Sequence, residues 1–132
     1  MPLCFIVDDH DDTRDGFAEY LRDWGFEVRT AGDATELRHL LTTATPAAIL
    51  MDVHMPRVDG WTLTKEIKAN PRTRRVRIVV VSASVRPEDR LAAEQAGADS
   101  FIAKPCDPQA IVSELTRLLT YDEPDHVKIS SR

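Results

Sequence analysis

The residues most suited to chemistry in this sequence are acids that directly follow short apolar segments. Residues 47–51 are apolar without alternation and run straight into Asp52, and residues 3–7 run into Asp8 and Asp9. Unbroken apolar runs of this length are typical of strands buried on both faces, so each acid is expected at the carboxyl end of a strand. In open parallel α/β sheets, ligands bind beyond those ends. The positions of these acids therefore favour reactive groups over surface charges.

Two more polar side chains follow later apolar segments. Ser82 comes after residues 76–81, and Lys104 comes after residues 100–103. Carboxylates held close together raise one another's pKa unless a cation offsets their charge, and Mg²⁺ suits a site of few carboxylates, a carbonyl oxygen, waters and a phosphate oxygen. Lysine adds compact positive charge, and a serine hydroxyl adds a hydrogen bond to an incoming phosphoryl group. Together these groups predict the formation of an aspartyl phosphate.

The elements that must position these residues alternate between strand and helix. Five short segments predict strands, and residues at helical spacing follow each of them. The strands are predicted at residues 3–7, 26–30, 47–51, 76–81 and 100–103. Five such β-α repeats predict right-handed crossovers and a doubly wound α/β fold, with a parallel sheet covered by helices on both faces. Trp24 and Trp61 are interpreted as packing residues.

Polar residues mark where the helices begin. Asp33 with Glu36 resembles a capping box, and Asp59 before Gly60 is expected to cap the third helix, because a carboxylate at this position can accept a free backbone N–H. The candidate caps of the first helix are Asp11, Asp12 and Thr13.

Length and composition limit what the acids can belong to. The chain has 132 residues, 42% of them hydrophobic and 30% charged, which fits one domain at residues 1–120 and a polar tail or linker stub at 121–132. A net charge of -5 argues against a general surface for nucleic acid or anionic membrane. No apolar run reaches a membrane-spanning length, so we expect a cytoplasmic protein. Cys4 is expected to be a buried, reduced thiol.

Several short motifs are specific only in combination. They are Val7-Asp8-Asp9, Met51-Asp52-Val53-His54-Met55-Pro56 with Asp59-Gly60, Ser82-Ala83, Gly97-Ala98-Asp99 and Lys104-Pro105. Together they resemble the receiver domain of two-component response regulators over about residues 3–119. The resemblance implies a CheY-like, flavodoxin-like fold with a five-stranded sheet of order 2-1-3-4-5.

The resemblance also implies a role for each site residue. Asp52 would be the phosphoacceptor, in a transfer that depends on Mg²⁺. Asp9 and Asp52 would bind the ion directly, Asp8 would hold it through water, and the backbone carbonyl of His54 would be a further ligand. Lys104 would contact the phosphoryl group.

The remaining implied roles concern the response to phosphorylation. Ser82 would contact the phosphoryl group, and with Phe101 it would change the face made by the fourth helix, the fifth strand and the fifth helix. The bond between Lys104 and Pro105 would be cis.

The resemblance implies particular partners. A histidine kinase or a histidine phosphotransfer protein would donate the phosphate, and the downstream protein target is unknown. No direct contact with nucleic acid or membrane is expected, and no enzyme activity beyond the chain's own phosphorylation and autodephosphorylation. Transcription-factor receivers of the winged-helix subfamily usually carry Asp-Asp-Tyr where this chain has Asp99-Ser100-Phe101. In that subfamily these residues help form ion pairs across a symmetric dimer, and this chain has one acid fewer. We therefore expect a monomer or a weak dimer.

Two other functions use similar residues. A haloacid-dehalogenase-type phosphatase also has a strand-end Asp nucleophile, but it needs a second Asp two residues later, where this chain has His54. A flavodoxin-like cofactor carrier needs Gly, Ser and Thr in its first loop to cradle phosphate, whereas residues 8–12 are mostly acidic. Both alternatives are therefore disfavoured.

Overall fold

The computed structural model describes residues 2–53, 59–83 and 86–120, and within them strands and helices alternate strictly. The strands are β1 (Leu3–Val7), β2 (Glu27–Ala31), β3 (Ala48–Asp52), β4 (Arg77–Ser82) and β5 (Ser100–Ala103). The helices are α1 (Asp11–Asp23), α2 (Ala34–Thr43), α3 (Gly60–Ala69), α4 (Pro87–Ala96) and α5 (Pro108–Thr120). Each predicted strand lies within one residue of an observed one. The predicted tail at 121–132 lies outside the described residues.

All strand pairs of the sheet are parallel, and the strand order is β2-β1-β3-β4-β5, which confirms the predicted fold class. The register sets where the strands end relative to one another. Val7 pairs with Met51, Asp52 with Val81, and Ser82 with Ala103. The four strands β1, β3, β4 and β5 therefore end almost level, and the residues that follow them share one edge of the sheet.

Alternate side chains of the central strands fill two apolar layers, one on each face of the sheet. Ile6 and Leu50 pack on the face covered by α1 and α5, whereas Phe5 and Met51 pack on the face covered by α2 and α3. Cys4 belongs to the first layer; burial raises the pKa of its thiol to about 12, and it forms no disulfide, as predicted. Burial on both faces explains why these strands are apolar without alternation.

Side-chain caps begin two of the helices where the sequence predicted them. Asp33 Oδ1 accepts the backbone N–H of Glu36 at 2.8 Å, and the Glu36 carboxylate accepts the backbone N–H of Gly32 at 2.7 Å. Asp59 Oδ1 accepts the backbone N–H of Thr62 at 2.7 Å. These bonds satisfy N–H groups that have no partner inside the helix.

The predicted caps of α1 were wrong. Its N-cap is His10, which makes no side-chain capping bond, and the proposed caps lie inside the helix: Asp11, Asp12 and Thr13. The reason is that the helix starts earlier than the apolar spacing indicated. Asp8 Oδ1 accepts the backbone N–H of His10 at 2.9 Å, and this turn leads directly into α1. The acids of the first turn still interact favourably with the helix dipole.

The two tryptophans behave differently. Trp61 is partly buried against the core layer under α2 and α3, as predicted. Trp24 is 57% exposed, so its interpretation as a packing residue was wrong; its ring lies 6.5 Å from that of Tyr20, centroid to centroid. The helix ends at Asp23, so Trp24 falls in the turn after α1 rather than on its inner face.

Gly60 lets α3 begin against the end of β3. A Cβ atom at this position would lie 2.6 Å from Val53 Cα and 2.8 Å from the backbone oxygen of Asp52. The obstructing atoms include main-chain atoms, so they cannot move aside as a flexible side chain could. A larger residue would therefore displace either α3 or the strand end that carries Asp52.

A matched pair of glycine substitutions tests this packing. We expect Gly60→Ala to lower the free energy of unfolding by about 1–3 kcal/mol, because the added methyl overpacks a main-chain contact. Gly16→Ala, in α1, should raise it by about 0.5–1 kcal/mol, because alanine is the better helix former and a Cβ there meets nothing within 4 Å. Urea denaturation measures both. Equal stability of the two variants would contradict the close approach at Gly60.

Candidate functional site

The acids that follow β1 and end β3 come together at the sheet edge. Ligand atoms of Asp8, Asp9, His10 and Asp52 all lie within 4.8 Å of one another. Asp8 and Asp52 are buried, at 3% and 4% exposure, because both belong to the ends of central strands. The three carboxylates predicted from the sequence are therefore brought to one place, together with a histidine that was not predicted to take part.

Lys104 reaches this cluster from β5. Its Nζ lies 3.0 Å from Asp8 Oδ2, and its backbone N–H donates to the Ser82 carbonyl at 2.7 Å, which continues the pairing of β4 and β5. The Lys104-Pro105 peptide bond is cis, as predicted. The ammonium group is thus fixed near the carboxylates by both a backbone bond and an ion pair.

Three influences set the charge of Asp8. Burial raises the pKa of this carboxyl, but hydrogen bonds from the His10 backbone and the Lys104 ammonium, with the lysine's charge, outweigh burial and bring the pKa below its ordinary value. Asp8 is therefore ionised at neutral pH, although it is almost fully buried.

Asp9 carries the atom that argues most directly for a bound cation. Its Oδ1 is buried, and among the described residues it has no hydrogen-bond partner. His10 Nδ1 lies 3.2 Å away but without hydrogen-bonding geometry. A buried carboxylate oxygen without a donor is costly, and a hard divalent ion with oxygen ligands would satisfy it. The donor set therefore fits Mg²⁺, with Asp8, Asp9 and Asp52 able to hold it.

An open cavity of about 230 Å³ gives access to the cluster. Its lining comprises His10, Thr13, Asp52, Ala83 and Lys104. Ser82 is fully buried at the end of β4, the strand between those of Asp52 and Lys104. The strand order therefore places Ser82 between Asp52, a potential nucleophile, and the positively charged Lys104. The predicted carbonyl ligand, His54, lies outside the described residues.

Phe101 on β5 lies apart from the acids. Its side chain is partly buried against the core layer under α2 and α3, and the guanidinium carbon of Arg90 lies 4.9 Å from the ring centroid. A guanidinium over an aromatic face is attracted by the ring's electrons. Arg90 was missed by the sequence reasoning, because no spacing rule links a residue of α4 to one of β5.

Arg14 is a second residue that the sequence reasoning missed. Its guanidinium donates to the backbone oxygen of Asp8 at 3.3 Å and pairs with Asp11 at 2.8 Å. Its side chain is only 17% exposed. Arg14 therefore ties the first turn of α1 to the strand end that carries the acids; Asp11 three residues before it was the available signal.

Asp99 belongs to the predicted motifs but not to this edge. Its carboxylate accepts the backbone N–H of Ile78 at 2.8 Å and pairs with Lys68 at 2.8 Å and Arg77 at 3.1 Å. These partners join α3, the start of β4 and the turn before β5. Asp99 is therefore a structural link at the opposite end of the sheet from the acid cluster.

Comparisons with known proteins point in the same direction as the site. Residues 4–116 match the family model described as the response regulator receiver domain. Response regulator Rre1 of Synechocystis is 32% identical over 115 residues, which cover 86% of this chain and 50% of that protein. The transcriptional regulatory protein PrrA of Mycobacterium bovis is 35% identical over 118 residues, covering 89% of this chain and 50% of that protein.

A solved structure is similar over nearly the whole fold. It is described as a putative response regulator from Chloroflexus aurantiacus, with a TM-score of 0.85 and 32% identity, and the match covers 90% of this chain and 98% of that one.

This chain spans only half the length of Rre1 and of PrrA. In the described part of the chain, no helix has the length and apolar character needed to cross a bilayer.

Charge repulsion within the cluster yields a stability prediction. In buffer without divalent ions, Asp9→Asn should raise the free energy of unfolding by about 1 kcal/mol, because it removes one of several like charges held close together. Thermal and urea denaturation measure the change. The control is Glu19→Gln on the exposed face of α1, which should stay within about 0.5 kcal/mol of the parent. A loss of stability in Asp9→Asn would contradict the repulsion.

Proposed function

We propose, because the chain belongs to the family of response regulator receiver domains, that Asp52 accepts a phosphoryl group from the phosphohistidine of a histidine kinase or of a histidine phosphotransfer protein. The observation that carries this proposal is the convergence of Asp52 with Asp8, Asp9 and Lys104 beside an open cavity. The chain would serve as a cytoplasmic signalling switch in a two-component system.

Asp52 suits the role of nucleophile. Asp52 is the last residue of β3, and the other residues of that strand are buried in the core. Asp52 also lines the cavity through which a donor would approach. In the transfer, a carboxylate oxygen of Asp52 forms the new bond to phosphorus, and the bond from phosphorus to the donor imidazole nitrogen breaks. The imidazole takes the electron pair of that bond and leaves as a neutral ring, because its other nitrogen already carries a proton. Little else is required of the protein except positioning and charge.

The other residues of the cluster would supply that charge. Asp9 and Asp52 would hold Mg²⁺ directly, with Asp8 through water and the backbone carbonyl of His54 as a further ligand. When bound, the ion supplies positive charge to the oxygens of the transferring group. Lys104 pairs with Asp8 at rest and would turn its ammonium towards the new phosphoryl oxygens. Ser82 would donate its hydroxyl hydrogen to one of them. Hydrolysis of the acyl phosphate, catalysed by the same site, would reset the switch.

The response would pass from Ser82 to Phe101 and so to the face formed by α4, β5 and α5. Phe101 is only partly buried, and Arg90 of α4 covers its ring. A change in the orientation of the ring would therefore alter its contact with α4. This face would bind a downstream protein of unknown identity. We expect no direct contact with nucleic acid or membrane.

The first functional prediction concerns the acceptor. With Mg²⁺ and acetyl phosphate, the protein should gain one phosphoryl group, and Asp52→Asn should lose this gain, because an amide is a far weaker nucleophile than a carboxylate. Intact-mass spectrometry measures it. The matched control is Asp12→Asn, an exposed acid near the site, which should be phosphorylated like the parent. Modification of Asp52→Asn at the parental rate would rule out Asp52 as the acceptor.

The second prediction concerns oligomeric state. Asp99 is held within its own subunit by Lys68 and Arg77, and the Ser100 hydroxyl bonds to Glu114, so neither is presented for pairing across a symmetric dimer. We expect a monomer or a weak dimer, both with and without beryllofluoride, a mimic of the phosphoryl group on Asp52. Sedimentation velocity measures this. A tight dimer through α4 and α5 on activation would contradict the prediction.

A further inference from the structure

Three arginines between α3 and β4 carry positive charge that their surroundings do not offset. Arg72, Arg74 and Arg75 are exposed, and within the part of the chain that the structure describes their guanidinium groups form no hydrogen bond or ion pair. We call them the arginine patch. We propose that this patch binds the acidic segment, residues 122–125 (Asp-Glu-Pro-Asp), which lies outside the described residues. The inference is independent of the proposed function, because the patch lies at the opposite edge of the sheet from Asp52.

The backbone that carries the arginine patch is firmly held. Thr73 is buried, and its hydroxyl donates to the Ile67 carbonyl at 2.7 Å. The Lys68 ammonium donates to the backbone carbonyls of Arg74 at 3.3 Å and of Val76 at 2.7 Å. These bonds tie the segment between α3 and β4 to α3. Binding at the patch therefore costs little ordering of the backbone.

Two acids near the arginine patch are already paired with other cations. Glu66, which lines a cavity with Arg72, accepts two hydrogen bonds from the Arg38 guanidinium, each at 2.9 Å. Asp99 pairs at 2.8 Å with Lys68, the residue that holds the backbone of the patch. The patch thus stays locally positive, although the whole chain has a net charge of -5. It would attract an acidic ligand.

The last turn of α5 brings the acidic segment to the same edge of the sheet. In a parallel sheet each helix runs back along the strands, so α5 ends at the edge where β4 begins. Leu118 belongs to the same apolar layer as Ala48, whose strand partner is Arg77 at the start of β4. The acidic segment starts two residues after Thr120 and ends five after it. An extended chain spans these separations in about 7 and 17 Å, which places the segment within reach of the patch.

The connection through α5 makes weak ion pairs sufficient. One exposed ion pair shifts an equilibrium by up to about fivefold, so a single pair would hold the segment poorly. The patch and the segment offer three charges each. Their connection in one chain gives an effective concentration on the order of millimolar. Binding would fix the direction in which the chain leaves α5, and it would weaken at high salt, because the Debye length falls to about 3 Å at 1 M.

Paramagnetic relaxation in NMR spectra tests the contact. A nitroxide is attached to His126→Cys, directly after the acidic segment, in a Cys106→Ser background; Cys4 is buried and stays unlabelled. We expect the label to broaden the backbone amide signals of the arginine patch. The broadening should fall at least about fivefold when the acidic segment is neutralised, and also at about 1 M salt. The neutralising substitutions are Asp122→Asn, Glu123→Gln and Asp125→Asn.

A charge-matched control neutralises three exposed acids on α1 and α4 and should keep the broadening. Its substitutions are Asp12→Asn, Glu19→Gln and Glu94→Gln. In the unlabelled chain, the side-chain Nε–H signals of the three arginines give a second readout. They should shift between low and high salt, and shift far less once the acidic segment is neutralised.

Two results would overturn the inference and leave the proposed function intact. One is the absence of broadening at the arginine patch, together with arginine signals that respond to salt equally in the parent and the neutralised chain. The other is broadening that arises only between labelled and unlabelled copies in a mixed sample, because the occupant of the patch would then be a second copy of the chain.

Discussion

The ion pair between Lys104 and Asp8 is the contact on which the candidate site depends. It joins residues at the ends of β5 and β1, two strands that are not neighbours in the sheet, across the ends of β3 and β4. The Asp8 side chain is 4% exposed and that of Lys104 20%, so the pair is poorly screened by water. Removing Lys104 would take the only cationic side chain described as pairing with Asp8 Oδ2 away from a buried carboxylate, whose other oxygen is bonded to His10. Together the two residues allow several carboxylates to share one edge of the sheet.

The same edge shows how the fold provides what the site needs. A parallel register brings the ends of β1, β3, β4 and β5 level, and two apolar layers hold those strands in place. Gly60 then lets α3 begin in contact with the end of β3. Repulsion among the acids is thus opposed by packing that does not involve them. Active sites commonly combine local electrostatic cost with a stable scaffold in this way.

Much of this architecture was predictable because its signals are local. Short segments, the central ones apolar without alternation, located the strands to within one residue, and the acids after β1 and at the end of β3, with Ser82 and Lys104, located the edge. Asp33 and Asp59 were recognisable caps because a cap contacts residues only two or three positions away.

The predictions that failed, and the residues that were missed, depend on contacts that sequence spacing does not encode. The first helix starts at Asp11 because Asp8 turns the chain at His10, a side-chain effect absent from the apolar pattern. Trp24 lies just past the end of that helix and is exposed. The stacking of Arg90 on Phe101 arises only when α4 packs against β5. The place of His10 among the acids likewise depends on the turn that starts α1.

In the proposed function, the phosphoryl group forms an acyl phosphate on Asp52 and on no other acid of the cluster. Borohydride reduces an acyl phosphate of aspartate to homoserine, which marks the modified residue permanently. The protein should be phosphorylated with Mg²⁺ and acetyl phosphate, reduced, digested and sequenced by tandem mass spectrometry. We expect homoserine at position 52 alone. Homoserine at Asp8 or Asp9, or none after a measured gain of one phosphoryl group, would contradict it.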